Sequence, residues 1–379
     1  MKLLHTSDWH LGKILYGKSM LEDQAYFIEH TFFPALKEEK PDAVLIAGDV
    51  FDRQVAPADA IRLFDGVIAR VYKDFKLPLI VATGNHDGAD RFSLGAGLLR
   101  LGGFYLTARP DLTAAPIILR DEFGEAHIYS LPWLEPVVMR DMLERPELKG
   151  YHEAYAAATG TLRERFVPGV RRVLLAHCFV AGSKKSESES PLFVGGGGEV
   201  GNNVFEGFDY VALGHLHAPQ RAGKNARYSG SPLKYSFDEQ NQRKSMTIVT
   251  LMQSETSITE IPVTPLRDMR TLTGSITEIE SMAEKYGGDY ICANILGDPV
   301  FEPMARLKTR FPNILEMRNG VNPAAGDTVR GEMRAQLRKR DDVYIYEQFL
   351  RQIYGQEASG GDIDIFREIS AQREEGESA

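Results

Sequence analysis

Five short motifs with metal-ligand side chains lie within the first 217 residues, and each follows an apolar run. Buried strands are predicted at Leu3–Thr6, Val44–Ala47, Leu79–Ala82, Val173–Leu175 and Tyr210–Leu213. Because ligands bind at the carboxyl ends of strands in α/β sheets, the side chains that follow are expected to converge at one edge of a parallel sheet. These side chains are Asp8, His10, Asp49, Asn85, His177, His215 and His217. Glycines before three of them, Gly48, Gly84 and Gly214, are expected to let the backbone turn sharply.

The ligand types favour two divalent metal ions. Imidazole and carboxylate donors without a thiolate suit borderline ions such as Mn²⁺, Fe²⁺ or Zn²⁺ rather than a structural cysteine site. Seven ligands are too many for one ion, but they divide into two sets of four if Asp49 bridges both ions. Two ions about 3.5–4 Å apart stabilise both the attacking and the leaving oxygen in phosphoryl transfer.

Each motif taken alone has a simpler interpretation. An Asp-x-His pair is usually a surface or capping feature, Gly-Asn-His-Asp forms a turn readily, and a single histidine such as His177 is more often a hydrogen-bonded core residue. The order of the motifs and their position after strands favour the metal site. A metal-free relative is expected to have lost at least one ligand, and none is missing here.

The complete motif set resembles a known family. Asp-x-His, Gly-Asp-x-x-Asp, Gly-Asn-His-Asp, His and Gly-His-x-His, in this order, resemble the motifs of the calcineurin-like metallophosphoesterases. The strings Thr6–Gly12 and Tyr228–Leu233, with Ser236–Glu239 after them, are similar to those of the nuclease subunits of bacterial SbcCD-type complexes, in the double-strand-break-repair nuclease family. The resemblance extends over the whole chain, is most specific in residues 1–240, and includes every ligand position.

The resemblance also implies roles for these residues. Asp8, His10, Asp49 and His217 would bind one ion, and Asp49, Asn85, His177 and His215 the other, with Mn²⁺ as the expected metal. A hydroxide bridging the ions would attack the phosphodiester, since metal coordination lowers the pKa of water. His86, one residue beyond a ligand, is expected to stabilise or protonate the leaving oxygen, oriented by Asp87. Asp52 is expected to fix a ligating imidazole from outside the ligand set.

The order of elements predicts an α/β fold. Helices are predicted at Leu21–Glu39 and Ala58–Phe75, between strands of a parallel core. Residues 226–229 and 245–251 are predicted to be strands of the second sheet. The resemblance implies a two-sheet metallophosphoesterase sandwich flanked by helices, assigned to residues 1–265. The polar, glycine-rich segment 182–203 follows His177 directly and is either a plain loop or a gate that contacts substrate.

Two further regions are predicted after this domain. Residues 270–335 form a small α+β cap domain with strand, helix, strand, helix and strand at 271–275, 278–286, 289–296, 300–311 and 314–318. Residues 340–379 form a C-terminal helical tail with apolar stripes. The stripes either pack on the chain's own domains or, as the resemblance implies, bind the coiled-coil base of an ABC-type ATPase. The partner-binding residues are Val343, Tyr346, Phe349, Leu350, Ile353, Ile365, Phe366 and Ile369.

Composition limits the class of protein. A chain of 379 residues with 43% hydrophobic and 26% charged residues is ordinary for a soluble protein of two or three domains. No apolar run approaches 18 residues, so no membrane span is predicted. Met1 and Lys2 lead straight into a strand, which predicts no signal peptide. Cys178 and Cys292 are expected to be free thiols in a reducing cytoplasm. The net charge of −9 argues against a protein coated in positive charge but does not exclude DNA binding.

Together these patterns predict a two-metal-dependent DNA exonuclease/endonuclease. The resemblance implies that it acts on DNA ends and hairpins in repair, recombination and replication, as a homodimer within a heterotetramer with the ATPase. Two alternatives stay open: a metallophosphoesterase acting on small phosphodiesters or phosphoproteins, and a structural subunit that tethers its partner to DNA ends. The extra cap and tail disfavour the first alternative, and the complete ligand set disfavours the second.

Overall fold

The computed structural model describes residues 1–189, 198–297, 300 and 302–319, together with residues 360, 361, 363 and 366. A six-stranded mixed sheet contains the first predicted strand. Four of its strands are parallel, and the two that complete one edge pair antiparallel. In spatial order the strands are Thr256–Pro262, Ser245–Leu251, Lys2–Thr6, Ala43–Ala47, Leu79–Ala82 and Phe104–Thr107.

A second six-stranded sheet packs against the first. Its four central strands are parallel and both edge strands are antiparallel. In spatial order the strands are Gln220–Arg221, Ala226–Tyr228, Tyr210–Gly214, Arg171–His177, Gly124–Leu131 and Ile117–Asp121. The predicted ligand-bearing strands thus belong to two sheets, three in the first and two in the second. The expectation of a single parallel edge was wrong, and the ligands lie where the edges of two sheets meet.

One further strand assignment was also wrong. Ala226–Tyr228 lies in the second sheet as predicted, but Ser245–Leu251 pairs with Lys2–Thr6 in the first. Both faces of Ser245–Leu251 are buried: Val249 faces the other sheet, and Ile248 faces the helices. Burial on both faces gives an apolar run that does not reveal which sheet the strand joins.

Alternation of side chains builds three layers of core. Leu3, Leu45 and Ile80 point between the sheets and meet Val173 and Leu175 of the second sheet. The residues between them in the first sheet point outward to the helices, and the second sheet has its own outer core. Neighbouring side chains of a strand point to opposite faces, so each buried strand is apolar on both sides.

The two predicted helices flank the first sheet, and each contains a wider π-helical turn. Leu21–Phe27, Ile28–Phe32 and Phe33–Glu39 form the first, with Ile28–Phe32 as the π turn. Ala58–Arg70 and Val71–Phe75 form the second, with the π turn at its end. The remaining helical segments before residue 245 are Ala89–Phe92, Ala96–Leu99, Arg100–Gly102, Pro136–Met142, Tyr151–Arg163, Asn202–Phe205 and Phe237–Asn241. Short strand pairs join Ile14–Leu15 to Lys18–Ser19, and Phe179–Val180 to Glu199–Val200.

A third, parallel sheet lies where the cap domain was predicted. Its strands are Met269–Gly274, Tyr290–Ile295 and Ile314–Asn319, and its helices are Ile276–Ser281, Ala283–Tyr286 and Pro303–Lys308. The predicted alternation of elements therefore holds, with bounds shifted by at most three residues. The Tyr290 hydroxyl donates to Asp23 at 2.6 Å and so joins this unit to the first helix.

The predicted tail falls mostly outside the described residues. Seven of its eight proposed contact residues lie there, and Phe366 is described as helical and half-buried. No helix among the described residues is long and apolar enough to cross a membrane. The seven predicted contact residues outside the described part are Val343, Tyr346, Phe349, Leu350, Ile353, Ile365 and Ile369.

Candidate metal centre

The first two ligand loops are locked together by backbone hydrogen bonds that continue beyond the strands. Asp8 N donates to Gly48 O at 3.0 Å, and His10 N donates to Asp49 O at 3.0 Å. These bonds extend the parallel pairing of Lys2–Thr6 with Ala43–Ala47 into the loops. The side chains of Asp8, His10 and Asp49 are thereby fixed relative to one another.

Four of the seven predicted ligands have left-handed backbone conformations. The φ angles are 54° at Asp8, 47° at His10, 50° at Asp49 and 105° at His215. Positive φ is uncommon for residues other than glycine and costs on the order of 1–3 kcal/mol at each position. Hydrogen bonds hold this conformation, as when His215 N donates to Asp8 Oδ1 at 2.9 Å. Such strain is typical of functional sites.

The glycines before the ligands have two different roles. Gly48 has φ +87° and makes the sharp turn that was predicted, and a Cβ there would lie 2.2 Å from His177 Nδ1. Gly84 lacks a positive φ, but a Cβ there would lie 2.1 Å from Asp49 Oδ1. Close approach of the ligand loops is therefore the reason for glycine at residue 84.

The structure brings all seven predicted ligands together around Asp49. Asp49 Oδ2 lies 3.3 Å from His177 Nε2 and 3.8 Å from His10 Nε2, so one carboxylate oxygen faces an imidazole from each predicted set. His10 Nε2 lies 3.1 Å from His217 Nε2. Asn85 Oδ1 lies 3.1 Å from both His177 Nε2 and His215 Nδ1. Asp8 has donor atoms within 4.8 Å of His10 and His217, and also of Asp49 and His177.

Comparison with known proteins agrees with this geometry. A family model described as calcineurin-like phosphoesterase matches residues 1–219, which is more than half of the chain. The chain belongs to the calcineurin-like phosphoesterases. Membership makes it a metal-dependent hydrolase, and the clustered aspartates and histidines are able to bind metal ions.

The protonation states of three imidazoles in this phosphoesterase suit metal binding. Burial lowers the pKa of His10 to about 3, and it also lowers the pKa values of His215 and His217. These three rings are neutral at neutral pH, which is the form that binds metal. Burial opposes protonation of His177, but the Asp49 carboxylate outweighs it and raises the pKa of His177 to about 9. The space between Asp49 and His177 therefore attracts positive charge.

The buried carboxylates also favour a cation. Burial raises the pKa of Asp8 to about 8, and the charge of Asp49 adds to that rise. Burial acts in the same direction on Asp49, but His177 reverses it and holds the pKa of Asp49 well below its ordinary range. Two buried carboxylates at close range are costly unless positive charge lies between them. The donor set is therefore suited to bind metal cations.

His86 has partners that differ from those predicted. Its backbone N–H donates to Asp49 Oδ1 at 2.8 Å, and its Nδ1 lies 2.9 Å from the carbonyl oxygen of Asp52. Asp87 instead accepts hydrogen bonds from the backbone N–H groups of Gly84 and Phe51, each at 2.9 Å. The expectation that Asp87 orients His86 was wrong, because the buried Asp87 carboxylate joins two ligand loops. A ring nitrogen of His86 also lies within 4.8 Å of donor atoms of His10 and of Asp49, so these three residues form a candidate ligand group.

Asp52 lies where a residue supporting a ligand was predicted. Its Oδ1 is 3.5 Å from His10 Nδ1 and 2.8 Å from Lys13 Nζ. Burial opposes ionisation of Asp52, but His10 and Lys13 together lower its pKa to about 2. Asp52 is thus a carboxylate at neutral pH, next to the outer nitrogen of His10.

Several residues near the centre were not predicted. Trp133 lies with its ring centroid 5.3 Å from that of His215, and Glu239 Oε1 lies 3.2 Å from His217 Nδ1. Ser188 Oγ, from the segment whose role was left open, lies 2.6 Å from His217 Nδ1. Glu239 belongs to the string Ser236–Glu239, which carries part of the family resemblance, but no role was predicted for Glu239 from the sequence. Nothing local in the sequence indicates that Ser188 contacts a histidine 29 residues away.

Proposed function

We propose that this phosphoesterase is a two-metal-dependent DNA nuclease, acting on ends and hairpins as the subunit of a complex with an ABC-type ATPase. The observation that carries the two-metal part is the position of Asp49, whose Oδ2 faces His10 of one ligand set and His177 of the other. The strings 6–12, 228–233 and 236–239 favour DNA over small substrates, and Mn²⁺ is the proposed ion.

The proposed chemistry divides between the ions and the chain. Bound ions supply Lewis-acid charge to the phosphate and activate water for in-line attack. Asp8, His10, Asp49 and His217 would hold one ion, and Asp49, Asn85, His177 and His215 the other. The half-buried His86 lies beside both sets, and its Nδ1 faces the carbonyl oxygen of Asp52. We propose that Nε2, the other ring nitrogen of His86, contacts the phosphate or the leaving oxygen.

Positive side chains near the centre support a phosphate backbone as substrate. Lys13 and Arg53 both approach the Asp52 carboxylate, and the Arg53 side chain is 56% exposed. An exposed guanidinium beside a metal centre is suited to contact a phosphate. The overall charge of −9 means that further positive surface would come from bound metal and from the partner.

We propose a homodimer as the state of the nuclease subunit. Leu94, Leu98 and Leu101 are 86%, 77% and 89% exposed, and Val55 and Ile61 are also exposed. Concentrated apolar exposure commonly indicates an interface. Light scattering of Leu98→Glu beside the parent chain tests this. A parent that is monomeric at micromolar concentration contradicts the homodimer.

We also propose a cytoplasmic location, in line with two free buried cysteines.

The decisive experiment compares substrates and metals. The purified chain is given defined linear and hairpin DNA, and separately a small chromogenic phosphodiester, with Mn²⁺ or Mg²⁺, with and without the ATPase. The proposal expects Mn²⁺-dependent cleavage of DNA that Asp49→Asn abolishes. Hydrolysis of the small diester alone supports the small-substrate alternative. Bound metal without cleavage of either substrate supports a structural subunit.

A further inference from the structure

His217 is held at three points by charged or polar side chains. Glu189 Oε1 accepts its backbone N–H at 2.6 Å, and Lys244 Nζ donates to its carbonyl oxygen at 2.8 Å. Its Nδ1 lies 2.6 Å from Ser188 Oγ and 3.2 Å from Glu239 Oε1. Backbone N–H, backbone C=O and the outer ring nitrogen are thus each bound by a side chain.

Glu239 is the centre of this arrangement and has no exposed surface. Its Oε2 lies 2.6 Å from Lys244 Nζ and accepts the backbone N–H of Tyr235 at 3.2 Å. Its Oε1 accepts from the Ser188 hydroxyl. A buried carboxylate is tolerated only when it is paired in this way. The negative charge facing His217 Nδ1 is therefore fixed in place.

The other three imidazole ligands have weaker support. His177 Nδ1 faces the backbone carbonyl of Ala47 at 2.8 Å. His215 Nδ1 faces Asn85, which the proposed function assigns to the same ion and which is therefore not an outer support. His10 Nδ1 is 3.5 Å from Asp52 and has no hydrogen-bond partner among the described residues. Of these four rings, only His217 has a buried carboxylate–lysine pair within hydrogen-bond distance, since the Asp52–Lys13 pair near His10 is partly exposed.

Part of this support comes from the segment after His177. Ser186 N donates to Glu189 Oε2 at 2.9 Å, and Gln242 Nε2 donates to Ser186 Oγ at 2.8 Å. Glu187 N donates to Asp238 Oδ2 at 3.0 Å. Residues 186–189 therefore pack on residues 236–244, and both segments reach Nδ1 of His217.

We propose that Ser188, Glu189, Glu239 and Lys244 are positioning residues for His217. They select the tautomer with hydrogen on Nδ1, direct Nε2 toward the His10 side of the centre, and set the metal affinity of that side selectively. This proposal rests on the two-metal centre of the proposed function. Outer contacts of this kind typically change metal affinity by about 10–100-fold.

Two variants test the proposal. In Glu239→Gln, one carboxylate oxygen is replaced by an NH₂ group, which donates and cannot accept. In one orientation of the amide this group faces the Lys244 ammonium, and in the other it faces the Ser188 hydroxyl and His217 Nδ1. Ser188→Ala removes one oxygen from a half-buried position and leaves the fold in place. Glu187→Gln is the matched control, since its side chain is exposed on the same segment.

Mn²⁺ titration calorimetry and ¹⁵N NMR of the imidazoles in metal-free protein are the readouts. We expect Glu239→Gln and Ser188→Ala to weaken one of two binding events by about 10–100-fold and to reduce the Nδ1–H population of His217. Ser188→Thr and the control should match the parent. Two parental affinities and an unchanged tautomer in Glu239→Gln and Ser188→Ala overturn the positioning role. Failure of the parent chain itself to bind two ions contradicts the two-metal function instead.

Discussion

The backbone N–H of His86 donates a hydrogen bond to Oδ1 of Asp49 at 2.8 Å, while Oδ2 of the same carboxylate faces His177 at 3.3 Å. The residue assigned to the phosphate is therefore attached directly to the residue assigned to both ions. Because the donor is the His86 backbone, loss of the Asp49 carboxylate removes this bond, whereas loss of the His86 ring leaves it in place. Substitutions that remove a ring without disturbing this backbone contact are thus the most informative.

His86→Ala is expected to keep both ions and lose most turnover. Its backbone N–H still binds Asp49, but no imidazole remains to act on the leaving oxygen. General acid–base assistance of this kind contributes about 10²–10⁴-fold to the rate. Elemental analysis together with steady-state kinetics on DNA measures the two effects separately. Loss of an ion in this variant shows that His86 is a ligand, as its proximity to His10 and Asp49 would allow.

Asp49→Asn is expected to weaken binding of both ions. The amide lacks the negative charge that both His10 and His177 face. His10→Ala, by comparison, should affect mainly one ion, because its Nε2 lies beside His217. Calorimetric titration with Mn²⁺ distinguishes the two patterns. If Asp49→Asn binds two ions as tightly as the parent chain, the shared role of Asp49 is wrong.

Gly84→Ala is expected to lower turnover by about 10²-fold, the typical effect of displacing a catalytic group by about 1 Å. The added Cβ would lie 2.1 Å from Asp49 Oδ1 and 2.6 Å from Asp49 N, so the ligand loops must separate. Gly66→Ala is the matched control. Gly66 is an exposed helical glycine with nothing within 4 Å of the added carbon. Kinetics and Mn²⁺ affinity of the two variants check the prediction, and equal values for both contradict it.

Asp121→Asn is expected to destabilise the fold at neutral pH, and by less as the pH falls below about 3.9. Asp121 accepts hydrogen bonds from Arg171 and lies 2.5 Å from the N-terminal amine, and these partners hold its pKa well below its ordinary value. A depressed pKa contributes stability that is complete above the unfolded value of about 3.9 and is lost as pH falls below it.

Urea unfolding of metal-free protein that begins with a free amine at Met1, at pH 7 and pH 3.5, measures the difference. The free-energy difference between Asp121→Asn and the parent should shrink at the lower pH. Asp59→Asn serves as the control, because its pair with Arg62 is about two-thirds exposed and contributes little. A difference that is the same at both pH values contradicts this prediction.

Truncation after Arg340 is expected to separate catalysis from assembly. The shortened chain keeps all seven predicted ligands and the third sheet, so metal-dependent cleavage by the isolated subunit should persist. The two short amphipathic helices predicted for the tail would be marginal alone in water, and the proposal assigns their apolar stripes to the ATPase. Co-purification with the ATPase measures assembly. Parental affinity of the truncated chain for the ATPase refutes the assignment of the tail.

Local pattern in the sequence predicted much of the fold. The five ligand-bearing strands and both long helices are where the apolar pattern placed them, because alternation and helical spacing are short-range properties of the chain. The π turns at Ile28–Phe32 and Val71–Phe75 were not predicted. The sheet joined by Ser245–Leu251 was predicted wrongly, since a strand buried on both faces has the same pattern in either sheet.

The sequence by itself determined which side chains are candidate donors, because residue type and position after a predicted strand can be read directly from the chain. Tertiary structure decided how they are oriented. Asp8 meets His215 across 207 residues, and His86 takes its partner from Asp52 rather than from its neighbour Asp87. Ser188 and Glu239 reach His217 only because two loops pack together. Hydrogen-bond partners depend on distances of a few tenths of an ångström, and such distances are fixed only when both sheets have assembled.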